Sequence, residues 1–260
     1  MPSIDVDGAT LNYTVRGRAG KPWVTVSHSL GGDMTLWDAL AEHLAPDFQV
    51  LQYDTRGHGR SRAAHAEFTV ERLGDDVVAL WDAVGAVRSH FIGLSLGGML
   101  GQGLALNHRE RLDKLVLCDC RADSSDDFRA LWDMRIAQVS ASGAGAVVDG
   151  TLEKWVTPQF RTANPQVMSA IGEIIRGTSV NGYVGCARAI QNLAFGPRLG
   201  QITTPTLLLS GGEDLPHPEI LKRMSAAIPG ATYAEVPDAA HLPNVEQPAA
   251  FNRVISEFLA

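Results

Sequence analysis

The chain has 260 residues, and 22 lysine and arginine residues against 29 aspartate and glutamate residues give a net charge of -7. This length is sufficient for one substantial hydrophobic core, and an open α/β sheet of this size is commonly a single domain. The negative charge repels nucleic acid and anionic membrane surfaces, so we expect neither as a partner.

The amino terminus and the cysteines indicate the cellular compartment of the protein. Met1–Gly8 contains no basic stretch followed by an apolar one, and no apolar run approaches the roughly 18 residues that a membrane helix needs. Three cysteines cannot all pair, and a bridge between Cys118 and Cys120, two apart at a predicted strand end, would be strained. We therefore expect a soluble, unsecreted protein with reduced thiols in the cytoplasm.

Eight segments have the length and apolar character of β-strands. Ile4–Val6 and Thr10–Arg16 flank Asp7-Gly8, a dipeptide suited to a tight hairpin turn, so an antiparallel pair is expected to open the chain. Six further runs of strand length are Trp23–Ser27, Gln49–Tyr53, His90–Gly93, Lys114–Cys118, Thr206–Ser210 and Thr232–Val236.

Helical patterns lie between most of these runs. The clearest is a series of apolar residues at a spacing of three or four, which places them on one face of a helix. The series is Val70, Leu73, Val77, Leu80 and Val84. Because strands and helices alternate, the sequence predicts an α/β fold, with a mostly parallel eight-stranded sheet and helices on both faces.

One long interval breaks this alternation. Residues 121–197 contain helix-like stretches but no convincing strand. We expect a helical cap, or lid, inserted there, between the core segments 1–120 and 198–260. The sequence contains no internal repeat or low-complexity tract.

A Gly-x-Ser-x-Gly motif spans Gly93–Gly97 and places Ser95 at its centre. Such a serine sits in a strained turn with backbone packed on both sides, which is why glycines flank it. A predicted strand precedes the motif and a predicted helix follows it, as a nucleophile elbow requires. The structural alternative is a glycine-rich crossover in which Ser95 only caps the helix.

Two downstream loops supply the base and the acid that a serine nucleophile needs. Asp214 follows the strand Thr206–Ser210, and His241 follows the strand Thr232–Val236. Because open α/β sheets gather their sites at the carboxyl ends of strands, we expect Ser95, Asp214 and His241 to converge at one edge of the sheet.

Other residues compete for these roles. Glu213 is an alternative acid, or else an exposed loop carboxylate. His28 and His58 also lie in loops that can border a site, but His241 alone follows the last strand.

A tetrahedral intermediate needs two backbone N–H donors, one after the nucleophile and one in the loop after the third strand. Leu96 and Leu30 occupy these positions, and the glycines of Ser27–Gly32 let backbone approach a substrate oxygen. The alternative for this loop is an ordinary tight turn. Asp54–Ser61 is expected to brace the loops behind the nucleophile rather than to act in catalysis.

These motifs resemble the α/β-hydrolase superfamily over nearly the whole chain, including the order serine, aspartate, histidine. More narrowly, the chain resembles the 3-oxoadipate enol-lactonases of aromatic catabolism (the β-ketoadipate pathway), chiefly through segments in the predicted cap. The segments that carry the narrower resemblance are Ser29–Gly31, Tyr53–Gly59, Gly93–Met99, Leu115–Asp119, Thr157–Arg161, Gly182–Cys186 and Ala189-Ile190. The chain departs from the family where His28 replaces asparagine and Cys120 replaces threonine, and we expect these two changes to alter the mouth of the pocket.

The resemblance implies hydrolysis of a small anionic substrate, a five-membered enol-lactone with a carboxylate side chain, to 3-oxoadipate. Ser95 would attack the carbonyl while His241 takes its proton. We expect no metal and no organic cofactor, because the sequence has neither a spaced Cys and His cluster nor a phosphate-binding loop after a strand.

A carboxylate entering a protein of net negative charge needs a local cation, and arginine can bind both carboxylate oxygens. Trp132 and Arg135, three apart on a predicted helix of the cap, share a face and are candidates for substrate binding. Trp155 and Gln191 are further candidates. Alternatively, the tryptophans belong to the cap core and Arg135 pairs with a carboxylate such as Asp133 or Asp126.

Two other functions stay open. The first is another carboxylesterase, or a cofactor-free perhydrolase, with the same three residues. The second is a non-catalytic protein that binds a small molecule on this fold. Labelling of Ser95 by a fluorophosphonate distinguishes the second from the enzymes.

Overall fold

The computed structural model describes all residues 1–260 and contains nine strands. The strands are β1 (Ser3–Val6), β2 (Ala9–Arg16), β3 (Trp23–Ser27), β4 (Gln49–Tyr53), β5 (Arg62–Ala63), β6 (Ser89–Leu94), β7 (Leu112–Cys118), β8 (Thr206–Gly211) and β9 (Thr232–Val236). Eight of them coincide with the eight predicted segments. The ninth, β5, has two residues, one of them an arginine, and so lacks an apolar pattern that sequence reasoning can detect.

All nine strands belong to one sheet in the order β1-β2-β4-β3-β6-β7-β8-β9, with β5 paired to β2. The first two strands form the predicted antiparallel hairpin, and β2 runs antiparallel to β4 and β5. From β4 through β3 and β6 to β9 every pairing is parallel. The central parallel strands are buried, which explains why they appear as continuous apolar runs.

Eleven α-helices accompany the sheet. They are α1 (Asp38–Leu44), α2 (Val70–Val84), α3 (Leu96–Asn107), α4 (Asp126–Ser142), α5 (Val148–Trp155), α6 (Pro158–Ala163), α7 (Pro165–Gly177), α8 (Val180–Gln191), α9 (His217–Ala227), α10 (Pro243–Glu246) and α11 (Pro248–Leu259). Helices α2 and α3 pack on each other and α3 packs on β6, while α1 and α11 form a separate pair. The predicted fold, a mostly parallel sheet with helices on both faces, is confirmed. None of the helices has the length and apolar character to cross a membrane.

Helix α2 shows how local sequence sets these elements. The Thr69 side chain accepts a hydrogen bond from the Arg72 backbone N–H at 3.2 Å and caps the start of the helix. Four of the five residues of its predicted apolar face are buried, and the fifth, Val84, is partly buried against the core. Gly85 follows the last turn with φ at 75°, a left-handed conformation in which glycine carries no Cβ penalty.

The interval between β7 and β8 contains helices α4 to α8 and no strand of the sheet. An isolated antiparallel bridge between Asp123 and Ala194 joins its two ends, and α4 packs on α8. The inserted helices therefore leave and re-enter the sheet at neighbouring points, beside the carboxyl ends of the parallel strands.

Candidate active site

Ser95 lies in a tight turn between β6 and α3. Its φ of 56° and ψ of -111° are strained for a residue with a side chain, and a hydrogen bond of 2.8 Å from its N–H to the Cys118 carbonyl helps to hold the turn. A Cβ on Gly93 would lie 2.1 Å from the Gly97 carbonyl oxygen, and one on Gly97 would lie 2.3 Å from that of Ser27. Both glycines are therefore required by backbone packing, and Ser95 itself faces a cavity.

Asp214 and His241 come together at the same edge of the sheet, in the loops after β8 and β9. His241 Nδ1 lies 2.7 Å from Asp214 Oδ2, and both residues are buried. Since the Asp214 carboxylate accepts a hydrogen bond from His241 Nδ1, the imidazole carries its hydrogen on Nδ1, and Nε2 is free to take a proton. His241 and Ser95 line the same cavity, and no hydrogen bond joins their side chains in this structure. Such bonds are often long before substrate binds.

The charge of Asp214 is fixed by its two histidine neighbours. Burial alone would raise the pKa of Asp214, but the charge and hydrogen bond of His241 and the close contact with His217 outweigh it and hold the pKa well below its usual range. Asp214 is therefore ionised and able to stabilise an imidazolium at His241. Glu213, the alternative acid, is exposed beside it and makes no hydrogen bond or ion pair with His241.

A second buried carboxyl, Asp119, lies at the end of β7 behind Asp214. Both of its oxygens accept from the Gly211 N–H, at 3.1 and 3.2 Å. Burial raises the pKa of Asp119 well above its ordinary value, and the charge of Asp214 raises it further. The neutral acid is thereby favoured, and it can donate a hydrogen bond to Asp214 instead of repelling it.

The loop that carries His241 is tied to the helical insertion. Glu246 accepts hydrogen bonds from the Ala240 N–H at 2.6 Å and from the Thr157 N–H and hydroxyl at 2.8 Å each. The Leu242 N–H donates to the Trp155 carbonyl at 3.0 Å. The position of the imidazole thus depends on both the sheet and the insertion.

The loop after β3 presents Leu30 to the cavity, and Leu96 begins the first turn of α3. Neither N–H donates to another group of the protein. Gly31 follows with φ at 85°, which turns the backbone around this point. Both N–H groups thus lack a protein acceptor, as an oxyanion hole requires, and of the two residues only Leu30 lines the cavity.

His28 and its neighbours clamp this loop from behind. His28 Nε2 accepts from the Thr55 N–H at 3.0 Å, which leaves Nδ1 to donate to the Ser29 carbonyl at 2.8 Å. Asp54 accepts from the Met34 N–H at 2.9 Å, so the segment after β4 braces the loop after β3 as the sequence predicts.

The two departures from the family pattern, His28 and Cys120, do not lie at the mouth of the pocket, where they were expected. His28 and Cys120 are fully buried, and neither lines the cavity. Cys120 packs against the elbow, where a Cβ on Gly98 would meet its Sγ at 2.9 Å. The expectation that these residues alter the pocket mouth is wrong, because both lie in the packing behind it.

His58→Asn is expected to weaken the pH dependence of stability. Burial lowers the pKa of His58 to about 3, whereas an unfolded histidine titrates near ~6.5. Between these values the unfolded chain binds one more proton, so for this residue the free energy of unfolding decreases by about 1.4 kcal/mol for each unit by which the pH is lowered. Asparagine can still donate to the Arg56 carbonyl, which His58 Nδ1 contacts at 2.9 Å, but it does not titrate.

Urea unfolding at several pH values from neutral to acidic measures this slope. Burial lowers the pKa of His28 and His90 as well, so in wild type three histidines take up a proton on unfolding and contribute to the slope. His58→Asn should remove one of these contributions, and the control His65→Asn, at an exposed position, should remove none. Equal slopes for wild type and both variants would contradict the prediction.

The cavity in front of Ser95 has a volume of about 480 Å³ and extends under the insertion. Three of the four predicted substrate-binding residues line it, namely Trp132, Arg135 and Trp155. The Trp155 ring lies 6.5 Å from the His241 ring and nearly parallel to it. The structure does not bring Gln191 there, because its amide donates to the Arg129 carbonyl at 2.8 Å and to Asp133 at 2.7 Å on α4.

Arg135 has no carboxylate partner. Its Nε donates to the Tyr183 hydroxyl at 3.0 Å and its Nη2 to the Thr151 hydroxyl, and its guanidinium carbon lies 5.6 Å from the centre of the Trp132 ring. The predicted alternative, an ion pair with Asp133 or Asp126, is absent. The cavity therefore holds an oriented cation that neutral groups fix in place.

Two further cavity residues were not singled out from the sequence. Arg121 stacks on Phe128, 3.6 Å from the ring centre, and its buried Nε has no partner. His217, at the start of α9, has Nδ1 at 2.9 Å from Asp214 Oδ2. A histidine three residues after the acid was a usable signal for His217, whereas nothing in the sequence orients Arg121.

Asp214, His217 and His241 are also the one group in the chain that can hold a metal ion, with ligand atoms within 4.8 Å of one another. A metal ion bound there would need the lone pair of His241 Nδ1, but this nitrogen carries the hydrogen that it donates to the carboxylate. The arrangement is therefore suited to proton transfer between serine, imidazole and carboxylate.

A strained serine at a strand-to-helix turn, beside an imidazole bonded to a buried carboxylate, defines a hydrolase on a parallel sheet. The family model of the alpha/beta hydrolase family matches residues 23–254. The chain belongs to this family.

Several relatives share nearly the whole chain. It is 29% identical to 3-oxoadipate enol-lactonase 2 of Acinetobacter baylyi over 255 residues, which cover 97% of this chain and 94% of the relative. It is 32% identical to the proposed carbamate hydrolase RutD of Caulobacter sp. strain K31, over 100% of this chain and 98% of that protein. The enol-lactonase of Burkholderia xenovorans LB400 has a similar structure, with a TM-score of 0.95, 34% identity and 99% of each chain covered.

Proposed function

We propose that the protein hydrolyses 3-oxoadipate enol-lactone to 3-oxoadipate, with Ser95 as nucleophile, His241 as general base and Asp214 as the acid that orients the base. The observation that carries the proposal is Arg135, a cation without a carboxylate partner in the cavity that also contains Ser95. The similarity to the enol-lactonases of Acinetobacter baylyi and Burkholderia xenovorans supports it.

The first half of the reaction forms an acyl-enzyme. His241 Nε2 takes the proton of the Ser95 hydroxyl as the oxygen attacks the lactone carbonyl. The N–H groups of Leu30 and Leu96 stabilise the oxyanion, and Asp214 stabilises the imidazolium. When the ring C–O bond breaks, the enolate oxygen leaves and takes the proton from His241; the enol then becomes the ketone.

The second half releases the product. Water attacks the ester carbonyl at Ser95 while His241 accepts one of its protons, and the serine oxygen leaves with that proton. The product carries two carboxylates, one from the substrate side chain and one from the opened ring. The inserted helices, which we propose act as a cap, supply Trp132, Arg135 and Trp155 around the bound lactone. Three free and buried cysteines suit the reducing cytoplasm, where we place the reaction.

Arg135→Ala is expected to raise KM for the enol-lactone by about 10-fold to 100-fold, since a hydrogen bond to a charged group is worth roughly 1.5–3 kcal/mol. The change should leave kcat/KM for neutral p-nitrophenyl acetate within about threefold, because that ester offers no carboxylate. The decrease in lactone absorbance, corrected for spontaneous opening, measures the first effect.

Arg129→Ala is the matched control, because Arg129 lies on the same helix, carries the same charge and is exposed outside the cavity. It should leave both activities unchanged and so exclude an effect of net charge. An unchanged lactone KM in Arg135→Ala would overturn the assignment of the carboxylate anchor. Arg121→Ala would then test whether the other arginine of the cavity binds the carboxylate.

The similarity to a proposed carbamate hydrolase favours a second candidate, hydrolysis of a small carbamate by the same three residues. Parallel assays with the enol-lactone, a small carbamate and p-nitrophenyl esters decide between the candidates. A kcat/KM that is highest for the carbamate or for the simple ester would contradict the lactonase proposal. Failure of a fluorophosphonate to label Ser95 would favour a binding protein instead.

A further inference from the structure

His217 places a second imidazole on the carboxylate of Asp214. Its Nδ1 lies 2.9 Å from Asp214 Oδ2, the same oxygen that His241 Nδ1 contacts at 2.7 Å. The two rings are 5.4 Å apart between centres, at an angle of 46°. His217 also donates its backbone N–H to the Asp214 carbonyl at 2.7 Å, so the loop fixes the distance between them.

The direction of this contact follows from its chemistry. A bare Nδ1 would set its lone pair against a carboxylate oxygen, which is repulsive, so the contact is attractive only when Nδ1 carries hydrogen. The nitrogen is buried and is not aligned as a full hydrogen bond to any acceptor. The interaction is therefore mainly one of charge, and it strengthens when the imidazole is protonated.

The surroundings contain several other ionisable groups. Glu213 belongs to the same loop, Asp119 lies behind Asp214, and Lys154 lines the same cavity. Glu246 holds the loop before His241, and on α9 Glu219 is paired with Lys222 at 3.0 Å. Among these groups, only the imidazoles of His217 and His241 contact Asp214 Oδ2.

We propose that His217 is a positioning residue that shares the Asp214 carboxylate with His241, so that the active form of the site needs both imidazoles uncharged. A proton on His217 sets a cation against the oxygen that must stabilise the imidazolium of His241. That cation also repels the charge that develops on His241 during attack. Inactivation by acid therefore involves two protons. The inference rests on the proposed roles of Ser95, His241 and Asp214, but not on the identity of the substrate.

The experiment is the pH dependence of the rate at which a fluorophosphonate labels Ser95, a reaction in which the serine oxygen displaces fluoride at phosphorus. Wild type and His217→Asn are compared from acidic to mildly alkaline pH, in EDTA to keep metal ions from the site. Asparagine can place an amide N–H at the position of Nδ1 but cannot gain a proton. At the acidic end the rate should fall about 100-fold per pH unit in wild type and about 10-fold in the variant, corresponding to two protons and one.

Two additional variants separate positioning from folding. His217→Ala removes the donor as well, so its labelling rate at alkaline pH should fall about tenfold while that of His217→Asn stays within about threefold of wild type. The control His108→Asn removes a partly exposed histidine paired with Asp75 at 2.9 Å, far along the chain, and should keep the two-proton decrease. Thermal unfolding of each variant verifies that it is folded.

The outcomes separate this inference from the proposed function. The same proton dependence in wild type and His217→Asn would overturn the role of His217 and leave the hydrolase intact. An unlabelled Ser95 in wild type would overturn both. The expected change in slope together with a lack of activity on the enol-lactone would support His217 and contradict only the lactonase proposal.

Discussion

Replacing Ser95 with alanine is expected to lower kcat for the enol-lactone by about a million-fold, and spontaneous opening of the lactone sets the lowest rate that the assay can resolve. The expected loss is this large because Ser95 supplies the attacking oxygen and the acyl-enzyme forms on it. Alanine has the same Cβ as serine, so the backbone conformation at φ 56° is no more strained in the variant. The fold and the cavity should therefore survive.

Lactone absorbance measures the rate, and fluorophosphonate labelling tests the nucleophile independently of the substrate. Ser140→Ala, at an exposed position on α4, is a control that should keep full activity. A decrease of less than about a hundredfold in Ser95→Ala would contradict covalent catalysis, because the oxyanion donors and binding alone leave roughly 10³-fold to 10⁴-fold over water.

The sequence predicted the sheet and the position of the site by the same physical rule. Parallel strands buried on both faces, such as Phe91-Ile92 in β6 and Leu207–Leu209 in β8, must be apolar along their length. Their carboxyl ends face one edge, so the polar residues after them had to gather there. This brought Asp214 and His241 to hydrogen-bond distance although they are 27 residues apart.

The cavity walls could not be predicted in the same way, because helices in the insertion pack by side-chain shape. Trp132 and Arg135 share a face through helical spacing, which the sequence contains. Whether that face points toward Ser95 depends on the packing of α4 on α8. Gln191 ends α8 on the side where its amide meets Asp133, a pairing that no spacing rule specifies.

Residues around Asp214 illustrate a second limit. Asp119 directly follows β7 and His217 begins α9, and their effect on Asp214 depends on burial and on contacts of a few ångströms. A sequence gives neither distance nor burial for single side chains. The elbow, by contrast, is specified by glycines whose backbone approaches allow no Cβ, so Gly93 and Gly97 mark it in the sequence as clearly as in the structure.

Replacing Asp214 with asparagine is expected to lower kcat/KM by about ten-thousand-fold. Asp214 Oδ2 accepts from His241 Nδ1 at 2.7 Å and so keeps Nε2 unprotonated for the Ser95 hydroxyl. An amide at this position can donate to Nδ1, which moves the imidazole proton to Nε2 and leaves no base. The variant also lacks the negative charge that stabilises the imidazolium, so both the tautomer and the electrostatic contribution are lost.

The matched control is Glu213→Gln, which makes the same change from carboxylate to amide at the neighbouring residue. Glu213 is exposed, whereas Asp214 is 8% exposed and bonded to the base, so the control should stay within about threefold of wild type. Steady-state rates on the lactone and labelling of Ser95 should decrease together in Asp214→Asn, because both need the base. A greater loss in Glu213→Gln than in Asp214→Asn would transfer the role of the acid to Glu213. Full labelling in Asp214→Asn would show that His241 acts without a carboxylate.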